Sequence, residues 1–293
     1  MLSLAPFLYR NVFAEDGGPI EQIKSFSTPI FGSTVHHATA LLKIGLKDKG
    51  SWGIYGNEAG GSGSSKESLA IAQHKAISEA LERWAYADAI KSVDRASYGF
   101  DHDRSSNGMC AFPGFKWQAR RGAYTEALER WALMSWWDGR LKAALVPSPY
   151  ANVGLVRIEH GQSKGEVVIL FYKSTEGHWC YGHASGKTVV SAAEHAASEL
   201  QRSSYVLKRH FARETPGIPN FLEKRLLHFA TEQGHAEFSA RLQTPPDKPT
   251  PAWRTIFDGE IKGPWSQWAT VWRHCVEMPT LDFLDPEKRF FFW

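Results

Sequence analysis

The chain has 293 residues, 43% of them hydrophobic and 22% charged, with a formal net charge of +3. That length and composition allow a large buried core and exclude a disordered chain. The small net charge, with no run of Lys and Arg, argues against a nucleic-acid-binding protein.

Met1–Pro6 carry no basic region and no long apolar run, which reads against a signal peptide. Thr34 to Leu42 and Trp52 to Tyr55 read as strands. They lead into Gly56-Asn57-Glu58-Ala59-Gly60-Gly61-Ser62-Gly63-Ser64-Ser65, which reads as a loop. Flexibility alone explains such a loop. Its place just before a helix also suits backbone N–H groups that cradle phosphate. Residues 66–89 form a helical pattern, 92–114 a loop, and 117–137 a second helix.

Leu141–Pro147, Val153–Glu159 and Val167–Tyr172 read as strands. Tyr181-Gly182-His183-Ala184-Ser185-Gly186-Lys187-Thr188 then precedes a third helix over 190–211, giving three loop-then-helix units. Gly186-Lys187-Thr188 is like the end of a P-loop, but Tyr181 stands where that motif needs glycine, and the match is discarded. Past Pro216 the composition shifts. Phe221–Arg241 is helical, Pro245–Pro251 is a proline-rich connection, and Arg289-Phe290-Phe291-Phe292-Trp293 is expected to be a strand or a plug on the body.

Cys110, Cys180 and Cys275 are far apart and form no CxxC pair, so neither zinc nor a disulfide framework is indicated. No stretch approaches the ~20 apolar residues of a membrane span. These features fit a cytoplasmic protein. The 12 Trp and 17 Phe read as core and interface packing.

One seven-residue word occurs twice. Glu79-Ala80-Leu81-Glu82-Arg83-Trp84-Ala85 returns as Glu126-Ala127-Leu128-Glu129-Arg130-Trp131-Ala132. Ser198-Glu199-Leu200-Gln201-Arg202 in the third helix is a loose echo. The two glutamates of each word share one helix face, so four carboxylates could be aimed at one point, as a hard cation requires. The plainer alternative is a pair of surface helices with Glu79–Arg83 and Glu126–Arg130 ion pairs worth ~0.3–0.5 kcal/mol each. Di-iron helices would carry a Glu-x-x-His pair. Here glutamate and then arginine follow, and oxygen-only ligands beside arginines fit Mg²⁺ with polyphosphate better. His36, His37, His178 and His183 are candidate ligands, read more simply as structural or surface residues. His195 is a core hydrogen-bond partner or a site residue, and Cys110 a small buried thiol or a reactive one.

The order of a Gly-rich stretch, an ExxER helix, Ser106-Asn107-Gly108-Met109, a second ExxER helix and a third helix with acid and glutamine resembles the YcaO family, over residues 25–215. The resemblance implies a single mixed α/β domain over 1–293. Its strands would be backed by three long helices with convergent acidic faces, and 216–293 would pack on the same body. It implies ATP and Mg²⁺ as cofactors, with Glu79, Glu82, Glu126 and Glu129 on the metal side. Arg83, Arg130, Lys75, Ser106, Glu199 and Gln201 would be on the nucleotide side.

Members of that family phosphorylate a peptide-backbone amide oxygen, which makes it a leaving group. Azoline, thioamide or amidine then forms according to the nucleophile. The departures are Lys75 where the family usually has serine, Gln118 for an acid, Gly122 for a polar residue, Cys110 for serine, His195 for arginine, Gln201 two residues after Glu199 rather than three, and an aromatic carboxyl end in place of the proline-rich one of many azoline-forming members. A diverged, ATP-incompetent scaffold subunit of a peptide-modifying complex is the competing expectation.

The partners expected are a precursor peptide and a second protein for leader recognition or sulfur delivery, with neither nucleic acid nor membrane, and a homo-oligomer is allowed. About thirty residues precede the family-like region, fewer than the ~50 of a separate recognition domain. Trp136-Trp137 or the Trp265–Trp272 region would then be the docking surface.

Overall fold

The computed structural model describes residues 3–47, 60–212 and 220–291. In chain order the elements are α1 (Ala5–Leu8), β1 (Ile20–Ile30), β2 (Ser33–Leu42), α2 (Ile44–Lys47), β3 (Gly60–Ser65), α3 (Leu69–Ala89), β4 (Met109–Phe112), α4 (Lys116–Trp137), β5 (Lys142–Val146), β6 (Gly154–Glu159), β7 (Glu166–Lys173), β8 (Trp179–Gly186), α5 (Val189–Phe211), α6 (Phe221–Phe229), α7 (Glu232–Gln243), β9 (Thr255–Glu260) and β10 (Thr270–Val276). The fold is mixed α/β, and its sheets are antiparallel. The chain divides into two compact units, Met1–Ala127 with Arg254–Glu277, and Leu128–Trp253 with Met278–Trp293, so the boundary falls within α4. Among the described residues no helix is long and apolar enough to cross a membrane.

In the first unit, β1, β2 and β3 form a meander. Pairs such as Ser25↔Ala38 and Ala38↔Gly63 set its register. Ser68 caps α3 by accepting the Ile71 amide. The buried stripe Ala72, Ala76, Ala80 recurs every four residues, one face of a 3.6-residue helix. Gly60–Ser65 is therefore a strand, where a loop was expected. Composition misleads here because Gly and Ser are ordinarily turn formers. In this protein the small residues are required by packing: a Cβ on Gly61 would collide with the backbone of Ala76 and Ala80, and one on Gly63 with that of Ala72 and Ala76. The helix lies directly on the strand. Trp52–Tyr55 falls outside the described residues. A second sheet, β4-β10-β9, completes this unit.

The second unit holds the meander β5-β6-β7-β8. Val167 to Leu170 of β7 are all buried, so this strand is covered on both faces. Thr188 caps α5 by accepting the Ser191 amide. Tyr181–Gly186 belongs to β8, again a strand where a loop was expected, and for the same reason. A Cβ on Gly182 would strike the backbone of Ala196 and Leu200, and one on Gly186 that of Ala192. The step from β3 into α3 is thus repeated by β8 and α5, with a capping Ser68 answered by Thr188. The expected helix over 221–241 is two helices, broken at Ala230–Thr231.

Trp136 stands edge-on to Phe238 and Phe291, and Trp137 stacks on Phe291. Trp136, Trp265 and Trp268 are all buried. They are core residues, so the expectation that they form a docking surface is corrected. Each indole has more apolar contact available inside than a solvated ring could keep. Exposed rings lie elsewhere, among them Phe7, Phe115 and Trp117. The plug expectation for the carboxyl end holds for Phe290 and Phe291, both buried. Arg225 reaches that segment, donating to the carbonyls of Phe283, Asp285 and Lys288.

Candidate functional site: the glutamates of the repeated word

On α3, Lys75, Glu79 and Arg83 follow one another at intervals of four residues and meet β3 at intervals of two. Lys75 Nζ donates to Ser64 O at 2.9 Å. Glu79 Oε2 accepts the Ser62 amide at 3.0 Å and the Ser62 hydroxyl at 3.3 Å. Arg83 Nη1 donates to Gly60 O at 2.6 Å, and its Nη2 pairs with Glu79 Oε1. Four helical residues rise about 6 Å and two strand residues about 6.8 Å, so the two repeats keep step over three rungs. The expected Glu79–Arg83 pair is present, and it is part of this ladder. Burial pushes the Lys75 ammonium below its ordinary value.

Glu82, one turn on from Glu79, points to a different strand. Its Oε2 accepts the Ala111 amide of β4 at 3.2 Å. Desolvation, then repulsion from Glu126 and Glu79, raises its carboxyl well above the ordinary carboxylate value. The Cys110 thiol, next to Ala111, is raised by burial and by the fields of Glu82 and Glu126. Cys110 packs against the bare helical Cα of Gly122, which gives the glycine at that position a steric reason. The structure therefore brings Glu79, Glu82 and Glu126, from both copies of the word, within electrostatic reach of one another in the first unit. Ser106, half-buried, lies in the loop just before β4.

Glu129, Arg130, Glu199 and Gln201 belong to the second unit. Glu129 Oε1 accepts from His183 Nδ1 at 2.9 Å, and Oε2 accepts the Ser185 amide at 3.1 Å. Arg130 Nη1 lies 3.4 Å from Glu129 Oε1. Burial would push this carboxyl up, but Arg130, the His183 hydrogen bond and the Ser185 amide together hold it below its ordinary value. Glu199 pairs with Arg202 at 3.1 Å. His195 Nδ1 lies 3.2 Å from Ser185 O, the place that Lys75 takes against Ser64 in the first unit.

The other candidate histidines have structural partners. His36 and His37 bond to Ser27 and Ser64, and His178 stacks on Phe211. Among the described residues no group of three or more His, Cys, Asp or Glu side chains is arranged to hold a metal ion. The three cysteines are free thiols.

Sequence reasoning passed over the backbone partners, the amides of Ser62, Ala111 and Ser185. Alternation of small residues before each helix was the available signal. It also passed over Asp103 and Arg273, which share no motif. No family model, no curated protein and no solved structure matches the chain.

Proposed function

We propose that this chain is a Mg²⁺- and ATP-dependent enzyme that activates a backbone amide of a ribosomally made peptide by O-phosphorylation, leading to an azoline, thioamide or amidine. The observation that carries the reading is Glu82. Its carboxyl is desolvated and repelled by Glu126 and Glu79, and the Ala111 amide and the Arg83 charge offset this only in part. A hard cation would neutralise that cluster. The donor set fits in kind, since carboxylate oxygens are what Mg²⁺ takes. Mg²⁺ is ordinarily held by one or two carboxylates, with water and phosphate oxygens completing its shell. Among the described residues no group of three or more His, Cys, Asp or Glu side chains is arranged to hold a metal ion, so water and phosphate oxygens would have to supply most of its shell.

Glu82 and Glu126 would hold the metal, with Glu79 fixed beside them by Ser62 and Arg83. When bound, Mg·ATP supplies the phosphoryl group that makes an amide oxygen a leaving group. The chain's own part is to bind and orient. Ser106, presented before β4, and Arg83 at β3 are the nucleotide-side candidates of the first unit, while Lys75 is held on the Ser64 carbonyl. Arg130, Glu199 and Gln201 are those of the second, where Glu129 remains the candidate metal-side residue. The peptide and a second protein that recognises its leader are the partners this reading calls for.

A second reading has a specific observation behind it. Lys75, Glu79 and Arg83 are all engaged with the β3 backbone, as they would be in a scaffold subunit that binds no nucleotide. Equilibrium calorimetry with Mg·ATP separates the two. The enzyme reading expects binding that needs Mg²⁺ and that falls at least tenfold in Glu82→Ala, about 1.4 kcal/mol. No binding at millimolar Mg·ATP would leave the scaffold.

A further inference from the structure

Arg273 of β10 is fully buried, yet the structure ties it to carbonyls. Nη1 donates to Ser105 O at 2.9 Å and Nη2 to Asp103 O at 2.7 Å, and the guanidinium lies 3.7 Å from the centroid of the Phe100 ring. Both carbonyls belong to one short loop. Asp103, also buried, closes that loop from within. Its Oδ1 accepts the Ser105 amide at 2.8 Å and the Ser105 hydroxyl at 2.7 Å, and its Oδ2 accepts from Asn107 Nδ2 at 3.2 Å. The Ser105 hydroxyl in turn accepts the Asn107 amide at 3.1 Å. The His274 amide donates to Gly108 O at 2.7 Å. Gly108 has φ +70 and no room for a Cβ, which would meet the His274 carbonyl and come 3.0 Å from Ala127 Cβ.

Taking a guanidinium out of water costs several kcal/mol, and carbonyl partners return only part of that. Here the cost goes into the shape of four residues, Ser105 to Gly108. The loop's far end rests on Ala127, the residue after Glu126. It runs straight into β4, whose Ala111 amide holds Glu82. Among the described residues the Ser106 hydroxyl takes no partner, while its carbonyl accepts the Met109 amide. That hydroxyl is thus carried on a tied-down loop that leads directly into β4, the strand that holds Glu82.

We infer that Arg273 and Asp103 are positioning residues that hold the Ser105–Gly108 loop in the form that receives the phosphate-bearing ligand at Ser106. The inference rests on the proposed Mg·ATP reading. Preorganised hydroxyl and amide donors bind phosphate without an ordering cost at the moment of binding.

The test uses the full chain and two variants. Arg273→Lys keeps the charge but cannot fork across two carbonyls above Phe100. Ser105→Ala removes only a half-buried hydroxyl with two bonds, so it folds even where Arg273→Lys does not. Hydrogen exchange over 104–109 reads the loop, and calorimetry with Mg·ATP reads the site. The expected result is faster exchange confined to that loop, with affinity down about tenfold, roughly 1.4 kcal/mol. In turnover KM for ATP rises while kcat holds.

Faster exchange with unchanged affinity, or unchanged exchange in both variants, overturns the positioning role. Failure of the wild type to bind Mg·ATP is a different result. It overturns the Mg·ATP reading, and the positioning role with it.

Discussion

Trp84 and Trp131, the same residue of the same repeated word, are buried in different cores. Trp84 stands edge-on to Trp265 at 5.5 Å and donates to Asp88 at 3.1 Å. Trp131 stands edge-on to Trp253 at 5.3 Å, and its i+4 neighbour Ser135 donates to its carbonyl. The glutamates differ in the same way. Glu82 holds the Ala111 amide and is driven up in pKa, while the equivalent Glu129 holds the Ser185 amide with His183 and Arg130 and is driven down. Identical letters took opposite electrostatic states because each copy faces a different strand.

The close approach of α3 to β3 predicts that Gly63→Ala destabilises the chain by about 1–3 kcal/mol, the cost of forcing an atom into a packed interface. Gly45→Ala, in the short helix α2 where a Cβ would meet no atom within 4 Å, should leave stability unchanged or raise it by up to about 1 kcal/mol. Urea denaturation of both variants measures the contrast. Equal midpoints would refute the steric account of β3.

If Lys75 works as a carbonyl clamp, Lys75→Met should lower stability by about 1 kcal/mol and leave Mg·ATP affinity within about twofold. Glu82→Ala should do the reverse to affinity. Calorimetry and thermal melts on the two variants decide the matter. A large loss of nucleotide affinity in Lys75→Met would return that lysine to the phosphate side.

Asp258 gathers Arg120, Trp272 and His274 around one carboxylate. Burial would raise its pKa, but hydrogen bonds from Arg120, Trp272 and His274 hold it below 3.8. Burial, only partly opposed by Asp258, holds His274 below 6.5. Between its lowered folded value and 6.5, the unfolded chain binds a proton that folded His274 refuses. Stability therefore falls as pH drops below 6.5, and the Asp258 contribution follows as pH falls from 3.8 through its folded value. His274→Gln should flatten the upper part of that decline in urea titrations at successive pH values. An unchanged slope would show that His274 is not the group responsible.

Arg225 donates to three carbonyls between Phe283 and Lys288. Arg225→Met leaves those acceptors buried and should cost about 3 kcal/mol. Limited proteolysis should then cut within 279–291 at least tenfold faster than in the wild type. Uniform cleavage along the chain would mean that the whole fold, rather than this segment, had loosened.

The long helices were legible because Ala, Leu, Glu and Lys recur with helical period, though their caps at Ser68 and Thr188 were not read from the sequence. The strands over 142–173 were legible from Val, Ile and Leu between turn residues. β3 and β8 were not, since Gly and Ser become strand formers only where a helix must lie against them. β1 was missed for a similar reason: its Glu21, Lys24, Ser25, Ser27 and Pro29 carry little strand signal, and its pairing with β2 supplies the order. The acid pairs of the site could be read from spacing. Their partners are backbone amides, which every residue has, so no letter marked them.

A helix resting on glycine and alanine meets a nearly smooth face. Such a face holds two elements together well but resists sliding poorly, because no bulky side chain drops into a socket. The ladder of Lys75, Glu79 and Arg83 supplies the missing teeth. A shift of one rung would part all three side chains from the groups they now hold and leave one of them beyond the end of the ladder. Three bonds made together thus fix the phase of the helix on its strand, and with it the direction in which Glu82 points.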